Sequence, residues 1–271
     1  MDRQSTERWN DGNADHRAVN PGLRPDVSMG SPLQLQFLPL SILAFFRGVS
    51  DMAKVDSTDA SSPVDESKAI KFVNWITEQA IEGVPPLSSA KDLAEEYLID
   101  KSYSSIPERI DALINWETAK NFTSGFITGL GGILTLPVTV PAALGAAWLI
   151  QARMAGAIAS ICGHDLKEDR VRTLVLLSLV GDAGKEVVKR AGITIANKLT
   201  EKAFERIPGK VLIEINKRVG FRLLTKAGEK GVLNFVKIVP VAGGIVGGCF
   251  DAAACRTVGY AAKSAFLNQK K

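Results

Sequence analysis

The sequence predicts an all-α protein, a multi-helix bundle built around an apolar, Gly/Ala-rich helical hairpin and a C-terminal GxxxG helix. Three observations predict it. The stretch Phe122–Cys162 carries no charged residue from Phe122 to Ile150 and reads as two apolar helices folded about LPVTVP. A second stretch of the same character, Lys237–Phe266, closes the chain. Elsewhere, apolar residues recur at spacings of three and four between capping residues and Gly or Pro stops. With 271 residues the chain can bury a sizeable core. Hydrophobic content is 46% but aromatics only 7%, so the apolarity comes from Ala, Val, Ile and Leu. Alongside 24 Gly, that composition favours close helix packing.

The chain divides into an N-terminal extension over 1–51 and a single helical domain over 52–271. Met1–Pro25 is polar and lacks the apolar core of a secretory signal. Ser31–Gly48 is apolar but broken by Pro32 and Pro39, and short for a span. It reads as a surface anchor or, the preferred expectation, as sequence upstream of a natural start at Met52.

A first helix is expected from Ser62-Pro63, with Ala69, Phe72, Val73, Ile76 and Ala80 inward and Gly83 as its stop. A second starts near Ser89, with Leu93, Ala94, Tyr97 and Leu98 inward. A third starts near Ser105–Pro107 and turns Ile110, Leu113, Ile114 and Trp116 inward. In the first hairpin arm Gly125, Gly129 and Gly132 share one helical face. Interior glycine costs roughly 0.5–1 kcal/mol relative to alanine, so that face implies a backbone pressed against a neighbour. Each arm of about 14–20 residues measures about 21–30 Å, marginal for a full span. A buried core hairpin and a re-entrant membrane hairpin both fit. Asp165 and Glu168 have capping-box spacing for a helix burying Val171, Leu174, Val175 and Leu179.

Positive charge collects over Ala183–Lys237, with thirteen Lys or Arg against five Glu. Lys198, Lys202, Arg206 and Lys210 form one stripe at spacing four, which Pro208-Gly209 interrupts, and Arg218, Arg222, Lys226 and Lys230 form another. Two basic stripes beside apolar segments point to an anionic membrane surface. Nucleic acid is not expected, because aromatics are sparse there and no recognition motif occurs.

In the last segment Gly243/Gly247 and Gly244/Gly248 make overlapping GxxxG pairs, suited to packing within the chain or in a homo-oligomer. Arg153 and Asp251 are ionisable groups within apolar runs and are expected to pair with each other or with a neighbouring polar group. His164 reads as a histidine at a helix C-terminus rather than a general base. Cys162, Cys249 and Cys255 lack CxxC spacing and read as free thiols. No phosphate-binding loop, HExxH or GxSxG occurs. No catalytic residue, metal site or cofactor is therefore expected. An enzymatic reading would need a polar pocket converging on Arg153, His164, Asp182 or Asp251.

From Met52 onward the chain resembles the EcsC protein family. The resemblance is carried by KAIKFVNWITEQAIEGVPPLSSAKDLAEEYL (Lys68–Leu98), by GLGGILTLPVTVPAALGAAWLIQARMAGAIASICGHDL and by VRTLVLLSLVGDAGKEVVKRAGI. It is most specific at the end, where Pro240, Gly243, Gly244, Gly248, Asp251 and Gly259 stand in the family's order. The family is named for a product encoded beside the two components of an ABC transporter. The resemblance implies an all-helical fold, membrane association and a membrane transporter as partner, and carries over no catalytic residue. The expected protein is a membrane-associated, non-enzymatic accessory to envelope or transport function on the cytoplasmic side of a bacterial membrane. An enzyme acting on lipid or peptide at the bilayer and a soluble helical interaction module are the alternatives.

Overall fold

A computed structural model describes residues 66–84, 87–130, 136–194, 199–233 and 240–267. These residues fall in one compact unit, Pro39–Lys271. They form nine α-helices: α1 (Glu66–Glu82), α2 (Ala90–Ile99), α3 (Ile106–Leu130), α4 (Leu136–Ile161), α5 (Asp169–Leu179), α6 (Gly184–Arg190), α7 (Glu201–Phe204), α8 (Gly209–Leu233) and α9 (Pro240–Phe266). A 3-10 turn, Gly181–Ala183, joins α5 to α6. The expected all-α fold is what the chain adopts. The N-terminal extension expected over 1–51 lies outside the described residues.

The helix ends are set by local chemistry. Gly83 stops α1 with φ +86°, a conformation that suits glycine. At α2 a full capping box forms: the Ser89 hydroxyl accepts from the Asp92 amide at 3.0 Å, and Asp92 accepts from the Ser89 amide at 3.2 Å. Arg109, in the first turns of α3, donates to the carbonyls of Tyr97, of Asp100 at 2.6 Å and of Tyr103 at 2.9 Å. Its guanidinium thereby satisfies orphan carbonyls at the end of α2 and locks the α2–α3 corner. Gly163, with φ +83°, ends α4, and the His164 amide reaches back to the Ala159 carbonyl at 3.0 Å.

The core is organised around the second half of α4. Every residue from Gln151 to Ala159 is buried. A helix apolar all round must be enclosed, and the small side chains of Ala152, Ala155, Gly156, Ala157 and Ala159 let neighbours approach from several sides. Phe72 of α1 meets Trp148 edge-on at 5.6 Å. A Cβ on Gly156 would lie 3.0 Å from the Cβ of Ala90, so α2 starts hard against α4. Met154 Sδ and Cys255 Sγ are 3.9 Å apart, which places α9 on another side. The crossing of α1 and α8 is closer still. A Cβ on Gly220 would meet the Ala69 carbonyl carbon at 2.9 Å and Val73 at 3.0 Å.

Several local expectations are corrected. The hairpin does not turn at LPVTVP. LPVTVP is itself helical: α4 begins at Leu136, and Pro137 and Pro141 lie in its first turns. Near a helix start a missing N–H leaves little unsatisfied, so Pro137 reads better as a helix opener than as a breaker. The Asp165–Glu168 capping box is absent. The helix begins at Asp169, and Asp165 Oδ1 instead accepts from the Lys167 amide at 2.9 Å. Leu98 and Trp116, expected inward, are 41% and 42% exposed.

Candidate functional site: a buried charge cluster between three elements

Arg153 projects from the middle of α4 and is 5% exposed. Its Nη2 lies 3.4 Å from Oε1 of Glu117 on α3, whose side chain is wholly buried. Its Nη1 donates to the Ser88 hydroxyl at 3.1 Å and the Ser88 carbonyl at 3.3 Å, in the turn before α2. Lys120, one turn along α3, reaches the same Glu117 oxygen at 2.8 Å from a half-exposed position. One carboxylate therefore holds two cations, and the arginine ties together α3, α4 and the α1–α2 turn. Burying these charges is tolerable only because each is paired.

Of the two arrangements expected for Arg153, a pair with Asp251 or a neighbouring polar group, the structure joins it to Glu117. Asp251 is half-buried on α9, one helical turn before Cys255. The side of α3 that meets α9 explains how these groups gather. Lys263 bonds Asp111 at 2.5 Å, a Cβ on Gly259 would meet Ile114 at 2.7 Å, and Thr118 lies beside the Cys255 thiol. Each step toward the C-terminus of α3 is thus matched by a step toward the N-terminus of α9, an antiparallel register. Gly125 and Gly129 lie farther along α3, and Gly243, Gly244, Gly247 and Gly248 in the first turns of α9. Gly132 lies outside the described residues.

The other candidate residues are dispersed. His164, just past α4, faces the far end of α9: its Nε2 is 3.2 Å from the Phe266 carbonyl and its ring 5.3 Å from the Phe266 ring. That is a clasp on an orphan helix-terminal carbonyl. Along α4 it stands three turns from Arg153, about 16 Å away. Asp182 is exposed on the 3-10 turn. No pocket-forming convergence of Arg153, His164, Asp182 and Asp251 is seen among these placements. Among the described residues, no group of three or more His, Cys, Asp or Glu could hold a metal ion.

Of the basic stripes, Lys202, Arg206 and Lys210 are exposed. Arg218 binds Glu214 at 2.7 Å, and Arg222 reaches Glu186 at 3.7 Å. Lys226 and Lys230 ride the last turns of α8, and Lys198 lies outside the described residues.

The thiols separate cleanly. Burial pushes the Cys255 thiol up to about 12; the charges of Glu117 and Asp251 add to that, and Thr118 and Lys120 oppose it. Cys162 is also buried, whereas Cys249 is exposed. Mildly alkaline iodoacetamide should therefore modify Cys249 alone, with Cys255 reacting only after denaturation, as read by peptide mass spectrometry. Between the ordinary value of 9.0 and about 12 the folded thiol keeps a proton that the unfolded chain has lost. Cys255 therefore favours the fold below pH 9 and progressively less above it. Native alkylation of Cys255 near pH 8 would contradict this placement.

These features define an all-helical protein with a charge-knotted core and a basic flank, without an assembled catalytic constellation among the residues described. Comparison with protein families matches residues 68–267 to the EcsC protein family, and the chain belongs to that family. No curated protein and no solved structure matches it.

Proposed function

We propose that the protein is a membrane-associated accessory to envelope or transport function, held at the cytoplasmic face by contact with anionic lipid. The observation that carries the reading is the concentration of basic residues over Ala183–Lys237, with Lys202, Arg206 and Lys210 turned to solvent. Lysines near an anionic leaflet each contribute about 1 kcal/mol of attraction, screened by salt. The mode is peripheral or partly inserted: no helix among the described residues is long and apolar enough to cross a membrane. The link to transport rests on family membership alone, with a membrane transporter as the partner.

The test is co-sedimentation of the full chain with vesicles. Binding to vesicles containing phosphatidylglycerol, little binding to pure phosphatidylcholine, and release at high salt are expected. A protein that stays in the supernatant with both vesicle types would remove the membrane reading. Exposed Ile213 and Phe221 on α8 favour a second reading, a helical module that docks a protein partner. Its binding would be indifferent to lipid charge.

A further inference from the structure

Helix α8 shows two unlike sides over residues 209–225. Leu212, Ile215, Val219 and Leu223 are buried on one side, where the helix packs into the core. The opposite side carries two large apolar side chains that the fold leaves exposed, Ile213 at 60% and Phe221 at 45%. Lys217 stands midway between them in sequence, and at 3.6 residues per turn the three fall within about 80° of arc. About 12 Å of helix axis separates Ile213 from Phe221. One surface can take up both only if α8 lies along it.

Charge decides what that side can meet. Over Gly209–Thr225 the helix has four cations, Lys210, Lys217, Arg218 and Arg222, against one acid, Glu214. The nearby acids are shared between cations. Glu214 lies 2.7 Å from Arg218 and 3.9 Å from Lys217, and Glu186 of α6 lies 2.6 Å from Arg190 and 3.7 Å from Arg222. Glu66 of α1 also reaches Lys217. A protein partner matches this side poorly: contact cores between proteins are depleted in lysine, and here Lys217 would sit between the two apolar anchors. An anionic leaflet matches it well. Lysine and arginine lay their stems along apolar neighbours while their charged heads stay among phosphates. Isoleucine and phenylalanine between them reach the headgroup–acyl boundary.

Resting on the membrane reading above, we infer that α8 lies flat on an anionic leaflet. Ile213 and Phe221 enter the headgroup–acyl boundary, and Lys210, Lys217 and Arg222 contact the phosphates. Two full-length proteins labelled with an environment-sensitive NBD fluorophore test this, both in a Cys249→Ser background. One carries the label at Phe221→Cys, and the other at Ile99→Cys, a position 78% exposed at the end of α2. Cys162 and Cys255 are buried and stay unlabelled. With mixed phosphatidylcholine–phosphatidylglycerol vesicles, the Phe221-site label should shift to the blue and lose quenching by iodide. The Ile99-site label should stay water-like. The double change I213S/F221S should weaken vesicle affinity at least about tenfold, because it removes the apolar groups that leave water. Lys210→Ala should weaken it about fivefold, and Lys101→Ala, beyond α2, less than about twofold.

Vesicle-bound protein with a water-like label at the Phe221 site, or with a shift at the Ile99 site instead, overturns the placement and leaves the membrane reading standing. So does a double change without effect on affinity. Failure to bind vesicles at all sinks both readings. A Phe221-site label already blue-shifted without vesicles means that protein covers this side of α8, which also overturns the inference. Unfolding midpoints guard the double change: if it is destabilised, the two labels decide alone.

Discussion

Replacing Glu117 with Leu should destabilise the fold by about 3–5 kcal/mol in denaturant unfolding, because it strands a charge in the core. Arg153 is 5% exposed and would keep only the Ser88 hydroxyl and carbonyl as close partners among its described contacts. The reverse change, Arg153→Met, should cost less. Glu117 then keeps Lys120 at 2.8 Å, and that lysine is half-exposed, so its own desolvation is partial. The double replacement E117L/R153M should recover most of the loss, since apolar groups of similar volume can replace a buried pair at little cost. The resulting cycle isolates the coupling between the two residues. Asp251→Ala is the comparison. Strong coupling of Arg153 to Asp251, with weak coupling to Glu117, would refute the pairing described above. So would single changes that each cost less than about 1 kcal/mol.

The same residue shows where sequence reading stops. Helical spacing along α3 gives Ile110, Leu113 and Ile114 as the inner face, and all three are buried. Glu117 continues that face, four residues after Leu113 and three after Ile114. Its charge disguised the continuation, and Trp116 was placed inward instead. A phase carried through one more turn would have found Glu117, because a carboxylate on an apolar face demands a cation. The partner on the other side, Arg153, stood out for the same reason: it interrupts an uncharged run. Choosing Glu117 over Asp251 required the tertiary register of three helices, which no local pattern encodes.

Other features were legible because their causes are local. Ser89 and Asp92 form the cap that places the start of α2, and Gly83 adopts the positive φ expected of a helix stop. The Asp165–Glu168 spacing misled because an Asx turn competes for the same side chain. Charge-free composition could not say whether the hairpin is core or lipid-facing. In the structure Gln151–Ala159 of α4 is enclosed by protein.

Gly220→Val should rank with the charge cluster among single changes in its effect. Gly220 lies inside α8, where glycine is disfavoured by roughly 1 kcal/mol relative to alanine, so local propensity alone predicts stabilisation on replacement. The contact predicts the opposite. The atoms that an added Cβ would meet at 2.9 Å belong to the backbone of Ala69, which cannot rotate away as a side chain can. Relief requires α1 to move off α8. That movement would loosen Phe72 and Val73 in the core and the ion pair between Glu66 and Lys217. Overpacking of this kind costs about 1–3 kcal/mol, more where backbone is the obstacle, and exceeds the propensity gain. Gly220→Ala should therefore lower the unfolding midpoint, and Gly220→Val should lower it further. Gly209, at the start of the same helix, has nothing within 4 Å of an added Cβ, so Gly209→Ala should be neutral or slightly stabilising. Thermal unfolding of the three variants distinguishes steric crossing from propensity. If Gly220→Ala matched Gly209→Ala, the close approach of α1 and α8 would be refuted.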